Sequence, residues 1–159
     1  MKYITVFGEE LKIDCIGCTV AQKAQFTEGR IHQTKLWNLA QDFEIAYPGM
    51  IILSPLRHVC NFADLTPDEQ QELNMLLSHC KKAIMKIFNC EKVAYMFYEK
   101  PNGHIHFIVI PLHGLVEIKN KYAVLAELMD KMEMLRNDKE NMAQVVSAIS
   151  KLRAYFRDI

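Results

Sequence analysis

His104-Ile105-His106-Phe107-Ile108-Val109-Ile110-Pro111 sets two histidines at i and i+2 inside a run of bulky apolar residues. In a β-strand these positions point to one face. A buried strand has little reason to hold two imidazoles side by side unless they bind something or do chemistry. The other reading is a half-exposed strand with ordinary polar positions on its open face. The residues just upstream, Pro101-Asn102-Gly103, are a turn, and Val93 to Tyr98 before them is a second strand, so the stretch returns antiparallel as a hairpin.

Working outward, Thr66-Pro67-Asp68-Glu69 is a strong helix start. Thr66 caps, Pro67 suits the first helical position and Glu69 closes a capping box. The helix is expected to run to about Phe88, with Leu73, Leu76, Leu77, Ala83, Ile84 and Ile87 as its apolar stripe and with His79 and Cys80 as packing or surface residues. Ile31 to Trp37, Leu39 to Ile45 and Met50 to Leu53 read as strands, with Pro48-Gly49 as the turn before the third. Tyr3 to Phe7 is also β-like, and Thr19 to Gln25 suits a short helix ended by Gly29. Beyond Gly114 the pattern becomes helical. Tyr122, Leu125, Leu128, Met129, Met132 and Leu135 form one stripe. Asn137-Asp138-Lys139-Glu140 resembles a second capping box, and Met142, Val145, Val146, Ile149, Leu152 and Phe156 form another stripe. The nine methionines read as adaptable packing rather than a cofactor box.

Composition limits the function classes. The chain has 159 residues, half of them hydrophobic and 24% charged, as expected of a globular domain. Nineteen basic residues balance nineteen acidic ones, which argues against a broad electrostatic grip on nucleic acid. No apolar run approaches a membrane span and Met1 to Gly8 lacks the apolar core of a signal peptide, so the expected location is cytoplasmic, with no membrane partner. Five cysteines (15, 18, 60, 80 and 90) are an odd set, better suited to thiols or metal ligands than to a disulfide framework. Cys15-Ile16-Gly17-Cys18 is either half of a zinc site or a redox pair. A redox pair belongs in a βαβ unit, whereas the later strands look antiparallel. Zinc would need two further ligands, and no second Cys-x-x-Cys exists, so histidines must supply them.

Four segments, in order, carry a resemblance: the Cys15–Cys18 pair, Pro48-Gly49-Met50-Ile51-Ile52-Leu53-Ser54-Pro55-Leu56-Arg57-His58, Phe62 to Glu69, and His104 to Pro111. Together they resemble the zinc-carrying branch of the histidine-triad (HIT) nucleotide-binding family over roughly residues 13 to 114. His104 and His106 fall on the first two triad positions, and Ile108 stands where the third histidine is expected.

The resemblance implies an α+β fold: an antiparallel sheet of about five strands, one long helix across it and a C-terminal helical pair. It divides the chain into a HIT-like domain over 1–115 and a helical extension over 116–159. It makes Cys15, Cys18, His58 and His104 the ligands of one structural zinc. It makes His106, assisted by His104, the catalytic group, attacking the α-phosphorus of a nucleotide conjugate to form a nucleotidyl-histidine. A neutral imidazole is nucleophilic near pH 7, and a covalent intermediate divides one hard step into two. Asp42 lies where the family holds the ribose, and its alternative is an ordinary surface carboxylate. The short loop Glu99 to Gly103 offers Lys100 or Asn102 for phosphate, and His113, beyond Pro111, is a candidate to reach back. The implied partners are a purine nucleotide or its conjugate and a second copy in a homodimer. Because Ile108 can neither donate a proton nor a hydrogen bond, a weakly active or inactive nucleotide-binding module of the same fold is the alternative to a hydrolase or transferase.

Overall fold

A computed structural model describes residues 2–12, 14–22, 28–97, 99–113 and 123–159. The elements in chain order are β1 (Lys2–Ile4), β2 (Glu10–Lys12), α1 (Ile16–Gln22), β3 (Arg30–Gln33), β4 (Trp37–Gln41), β5 (Ile51–Pro55), α2 (Pro67–Phe88), β6 (Val93–Phe97), β7 (Phe107–Pro111), α3 (Val124–Asp130), α4 (Met132–Asn137) and α5 (Lys139–Arg157). A single 3₁₀ turn, Phe62–Asp64, precedes α2. Strands β3 to β7 form one five-stranded sheet in the order β3-β4-β5-β7-β6, antiparallel throughout, and β1 and β2 pair as a separate hairpin.

Helix α2 starts as its sequence dictates. The Thr66 hydroxyl accepts from the Glu69 N–H at 3.3 Å, and the Glu69 carboxylate accepts from the Thr66 N–H at 2.8 Å, completing the capping box. Glu69 is buried and is also gripped by Arg57 through two 2.7 Å contacts, which hold its carboxyl below the usual range. The buried face of α2 (Leu73, Leu76, Cys80, Ala83, Ile84) shares one core with Trp37, Leu39, Ile51, Leu53 and Val109. The Trp37 indole N–H donates to the Glu69 carbonyl at 3.0 Å, as a buried indole requires. Ile149, Leu152 and Phe156 of α5 join the same core, so sheet, long helix and C-terminal helix fold around a common interior.

Several boundaries differ from the sequence expectations. Ile31 to Trp37 is not one strand: the Thr34 hydroxyl accepts from the N–H groups of Leu36 and Trp37, turning the chain so that Trp37 opens β4. The strand expected over Leu39 to Ile45 stops at Gln41, because Asp42 takes the N–H groups of Glu44 and Ile45 into a side-chain turn. At the N-terminus β1 ends at Ile4, where Gly8 N–H bonds the Thr5 carbonyl. The Pro48-Gly49 turn forms, with Gly49 at φ +81, and a Cβ there would meet the Phe88 ring at 2.7 Å. Helix α1 begins at Ile16, inside the cysteine pair rather than after it, and the expected end of that helix near Gln25 lies outside the described residues, as do Tyr98 and Tyr122. The first C-terminal stripe is divided at Lys131 into α3 and α4, giving three helices with α5 among the described residues. The second capping box does not form: Asp138 caps α5 by accepting from Glu140 and Asn141, but Asn141 sits at the third position and donates instead to the Ala46 and Leu135 carbonyls.

Candidate functional site

Strand β7 begins only at Phe107, so His104 and His106 stand just before the ladder. The Ile105 N–H donates to the Val59 carbonyl at 2.8 Å, tying this segment to the chain leaving β5. Because β5 and β7 are antiparallel neighbours, the end of β5 and the start of β7 lie together, which brings His58 beside His104 with ring centroids 5.2 Å apart.

The start of α1, with Cys15 just before it and Cys18 in its first turn, delivers the two cysteines to these histidines. The Cys15 and Cys18 sulfurs lie 3.4 and 3.2 Å from His58 Nδ1 and 3.9 and 3.3 Å from His104 Nδ1. All four ligand atoms fall within 4.8 Å of one another. Tetrahedral zinc with ordinary Zn–S and Zn–N bonds separates its sulfur and nitrogen ligands by about 3.5 Å, so the set has the right span. Its chemistry fits too. His104 Nε2 lies 2.9 Å from the Pro55 carbonyl, which fixes the proton on Nε2 and leaves Nδ1 as a lone-pair donor toward the sulfurs. Burial lowers the His104 pKa to about 4, keeping the ring neutral as a ligand must be. Burial first, then the hydrogen bond and charge of Cys15, push the Cys18 thiol up to about 11. A thiol so placed resists ionisation unless a cation joins it. Gly17 makes the cluster possible, since a Cβ at that position would lie 2.4 Å from the His104 ring.

Beside this cluster is a cleft of about 500 Å³. His104 and His106 line it, as do Asp42, Asn102, Lys100 and Ile108. Burial lowers the His106 pKa, partly offset by its contact with the His104 carbonyl, at a long 3.4 Å from Nδ1. The imidazole is therefore neutral at pH 7. Asp42 reaches the cleft from the turn after β4; burial pushes its carboxyl up to about 6 against the lowering effect of the Ile45 and Glu44 N–H bonds. Ile108 is almost fully buried and pairs across β7 with Ile52 and Met96. Asn102 adopts a left-handed φ of +56 in the turn closed by the Gly103 N–H to Lys100 carbonyl bond.

His113 is a correction. It does not line the cleft: its ring stacks on Tyr47 at 4.6 Å, its Nε2 meets the Pro48 carbonyl at 3.0 Å, and it borders a separate depression with Phe88 and Glu140. Strand β7 carries the chain away from the site at about 3.3 Å per residue, which leaves His113 roughly 20 Å of extended chain beyond His106.

Sequence reasoning missed several cleft residues. Gln41 donates to the Ile45 and Tyr47 carbonyls, shaping the loop that carries Asp42, while its Oε1 is buried with no hydrogen-bond partner. Glu44 receives the Tyr3 hydroxyl, a contact across 41 residues that no local pattern announces. Cys60 is not in the cleft but sits 3.1 Å from His58 Nε2, on the side of the ring away from the cluster, and the His58-x-Cys60 spacing is the signal in the sequence. Leu125, Met129 and Met132 reach the cleft from α3 and α4.

No protein-family model and no curated protein matches this sequence. Solved structures do. A zinc-bound histidine triad family protein from Mycobacterium smegmatis aligns with a TM-score of 0.63 at 14% identity, over 91% of this chain and 94% of that one. A hypothetical histidine triad nucleotide-binding protein from Sulfolobus tokodaii aligns at 0.62 and 16% identity, over 91% and 96%. Plasmodium falciparum diadenosine triphosphate hydrolase aligns at 0.58 and 15% identity, over 83% and 78%. The chain therefore has the histidine-triad fold, an α+β architecture with the expected five-stranded sheet, long helix and C-terminal helices.

Proposed function

We propose that the protein is a nucleotide-binding hydrolase or transferase of the histidine-triad kind, acting at the α-phosphate of a nucleotide conjugate through His106. The observation that carries the reading is the half-buried His106 imidazole bordering a cleft that also holds Asp42 and Asn102; burial lowers its pKa, which favours the neutral, nucleophilic ring. In the first step a ring nitrogen of His106 forms a bond to the α-phosphorus, and the bond to the leaving amine or phosphate breaks with its electron pair. The departing group takes its proton from solvent; in the second step water attacks the same phosphorus and returns a proton to solvent, the P–N bond to His106 breaks with its electron pair on the ring and the nucleoside monophosphate leaves. Asp42 is the acceptor for ribose hydroxyls, and Asn102 and Lys100 are the groups for phosphate oxygens. His104 holds the segment on which His106 stands.

Cys15, Cys18, His58 and His104 would hold zinc, a closed Cys₂His₂ set whose contribution is to join α1 to the ends of β5 and β7 rather than to activate water. Fold likeness to a protein described as zinc-bound supports this assignment. We further assign residues 1–115 to the HIT-like unit and 116–159 to an extension. A homodimer is supported by the outer strand β6, which leaves Tyr95 and Phe97 exposed next to Phe62. A cytoplasmic location is supported by a thiol-rich ligand set, which needs reducing conditions, and by the fact that no described helix is long and apolar enough to cross a membrane.

One observation favours a second reading, a binding module with little turnover: Ile108 fills the third triad position with a buried alkyl group that cannot protonate a leaving group. Single-turnover cleavage of an adenosine phosphoramidate separates the two. Wild type is expected to cleave and His106→Asn to be inert while still binding AMP. Equal cleavage by both overturns the role of His106, and no cleavage by wild type leaves the binding module.

A further inference from the structure

The apolar arc that follows residue 123 is wider than one packing contact requires. Val124, Leu128 and Leu135 are 2%, 0% and 5% exposed and belong to the main core. Leu125, Met129 and Met132, spaced i, i+4 and i+7, form a neighbouring stripe that borders the cleft instead. Met129 is 57% exposed and Met132 37%, so two large thioether side chains stand against open space within the site. These helices are also anchored to other cleft residues. Arg136 of α4 donates to the Ile4 and Thr5 carbonyls at 2.8 and 2.6 Å, and Tyr3 of the same hairpin packs edge-on against Phe43 and donates to Glu44.

We propose that Leu125, Met129 and Met132 form the wall on which the base of a bound nucleotide packs, so that α3 and α4 determine which bases the cleft accepts. This rests on the nucleotide reading above. None of the three side chains offers a strong hydrogen bond, so the wall cannot read the edge of a base; it responds to the area of the ring. Methionine sulfur is polarizable and packs well against aromatic rings, and its unbranched chain adapts to their shape. The substrate class that follows is purine over pyrimidine, decided by contact area.

The test compares AMP, CMP and ribose 5-phosphate by calorimetry or by competition, on wild type and on double variants at positions 129 and 132. Both side chains are solvent-accessible, and an unfolding curve checks that each variant folds. Wild type is expected to favour AMP over CMP several-fold. Met129→Gln/Met132→Gln is expected to weaken AMP roughly tenfold, as for losing about 50 Å² of apolar contact, and to collapse the AMP/CMP ratio. Ribose 5-phosphate, which has no base, should bind wild type and variant alike, and Met129→Leu/Met132→Leu should retain AMP. Unchanged AMP affinity in the Gln variant overturns the wall, as does an equal loss for AMP and ribose 5-phosphate, or a Leu variant as weak as the Gln one. A wild type that binds none of the three overturns the nucleotide reading and the wall with it.

Discussion

Asp42 offers the sharpest test, because the site imposes a measurable cost on the fold. Its carboxyl is pushed from 3.8 up to about 6, chiefly by burial. A carboxyl that holds its proton more tightly when folded favours the fold at low pH, and that advantage is lost as pH rises through 6. Above pH 6 the folded protein carries a desolvated carboxylate that the unfolded chain would keep in water. Each pKa unit corresponds to about 1.4 kcal/mol, which bounds the cost near 3 kcal/mol; relaxation of nearby water around this partly buried group reduces it to about 1–2 kcal/mol. Asp42→Asn keeps a side-chain oxygen for the Glu44 and Ile45 N–H groups, now 2.8 Å away, and removes the charge. The variant is therefore expected to be more stable than wild type by about 1–2 kcal/mol at pH 8, roughly 3–6 °C in Tm for a chain of this size. At pH 4 the two should be nearly equal. Urea unfolding of both proteins at the two pH values measures the gap directly. The same variant is expected to bind AMP more weakly by about tenfold or more, since a hydrogen bond to a charged group contributes about 1.5–3 kcal/mol. A less stable Asn variant at pH 8, or a gap that does not change with pH, would refute the argument.

Protein purified without a metal-affinity tag should contain about one zinc per chain, and Cys15→Ser should lower both metal content and unfolding midpoint, because metal binding is linked to folding; a metal-free protein of equal stability counts against the cluster. With the metal removed, stability should fall with acid from about pH 6.5 down through 4, the window in which the unfolded chain binds a proton that the buried His104 resists, and His104→Gln should flatten that slope. Ile108→His should raise the single-turnover rate, since a missing acid–base partner commonly costs about 10²–10⁴-fold, provided the imidazole finds a partner in a slot now lined by Ile52 and Met96; an unchanged rate with the fold intact shows that the missing histidine is not what limits turnover. Light scattering at micromolar concentration should report a dimer, and Tyr95→Lys on the exposed edge strand should shift it toward monomer.

What the sequence made legible follows from range. The start of α2 could be read to the residue because Thr66, Pro67 and Glu69 act on one another within a single turn. The donor set around Cys15 could be expected because Cys15, Cys18, His58 and His104 resemble the ligand positions of the zinc-carrying HIT branch, yet the Pro55 carbonyl that orients His104 is backbone and leaves no mark in the sequence. The turn at Thr34 was hidden because Thr-Lys-Leu contains neither glycine nor proline, and a hydroxyl does the turning. The break between α3 and α4 at Lys131 is likewise unmarked. His113 is near His106 along the chain but not in space, because the intervening strand converts sequence proximity into separation.

The Gly17 contact has a consequence for how the site could fail. His104 and His106 are one residue apart, and Ile105 between them is buried and hydrogen-bonded, so this short segment has little slack. A methyl group at position 17 would have to push the His104 ring back by about 1 Å to reach ordinary contact. That displacement would be shared between the ligand cluster and the segment bearing His106. On the proposed reading, a change at the ligand cluster is then felt at His106, and Gly17→Ala is expected to lower metal content and turnover together, as metal analysis and single-turnover cleavage would show.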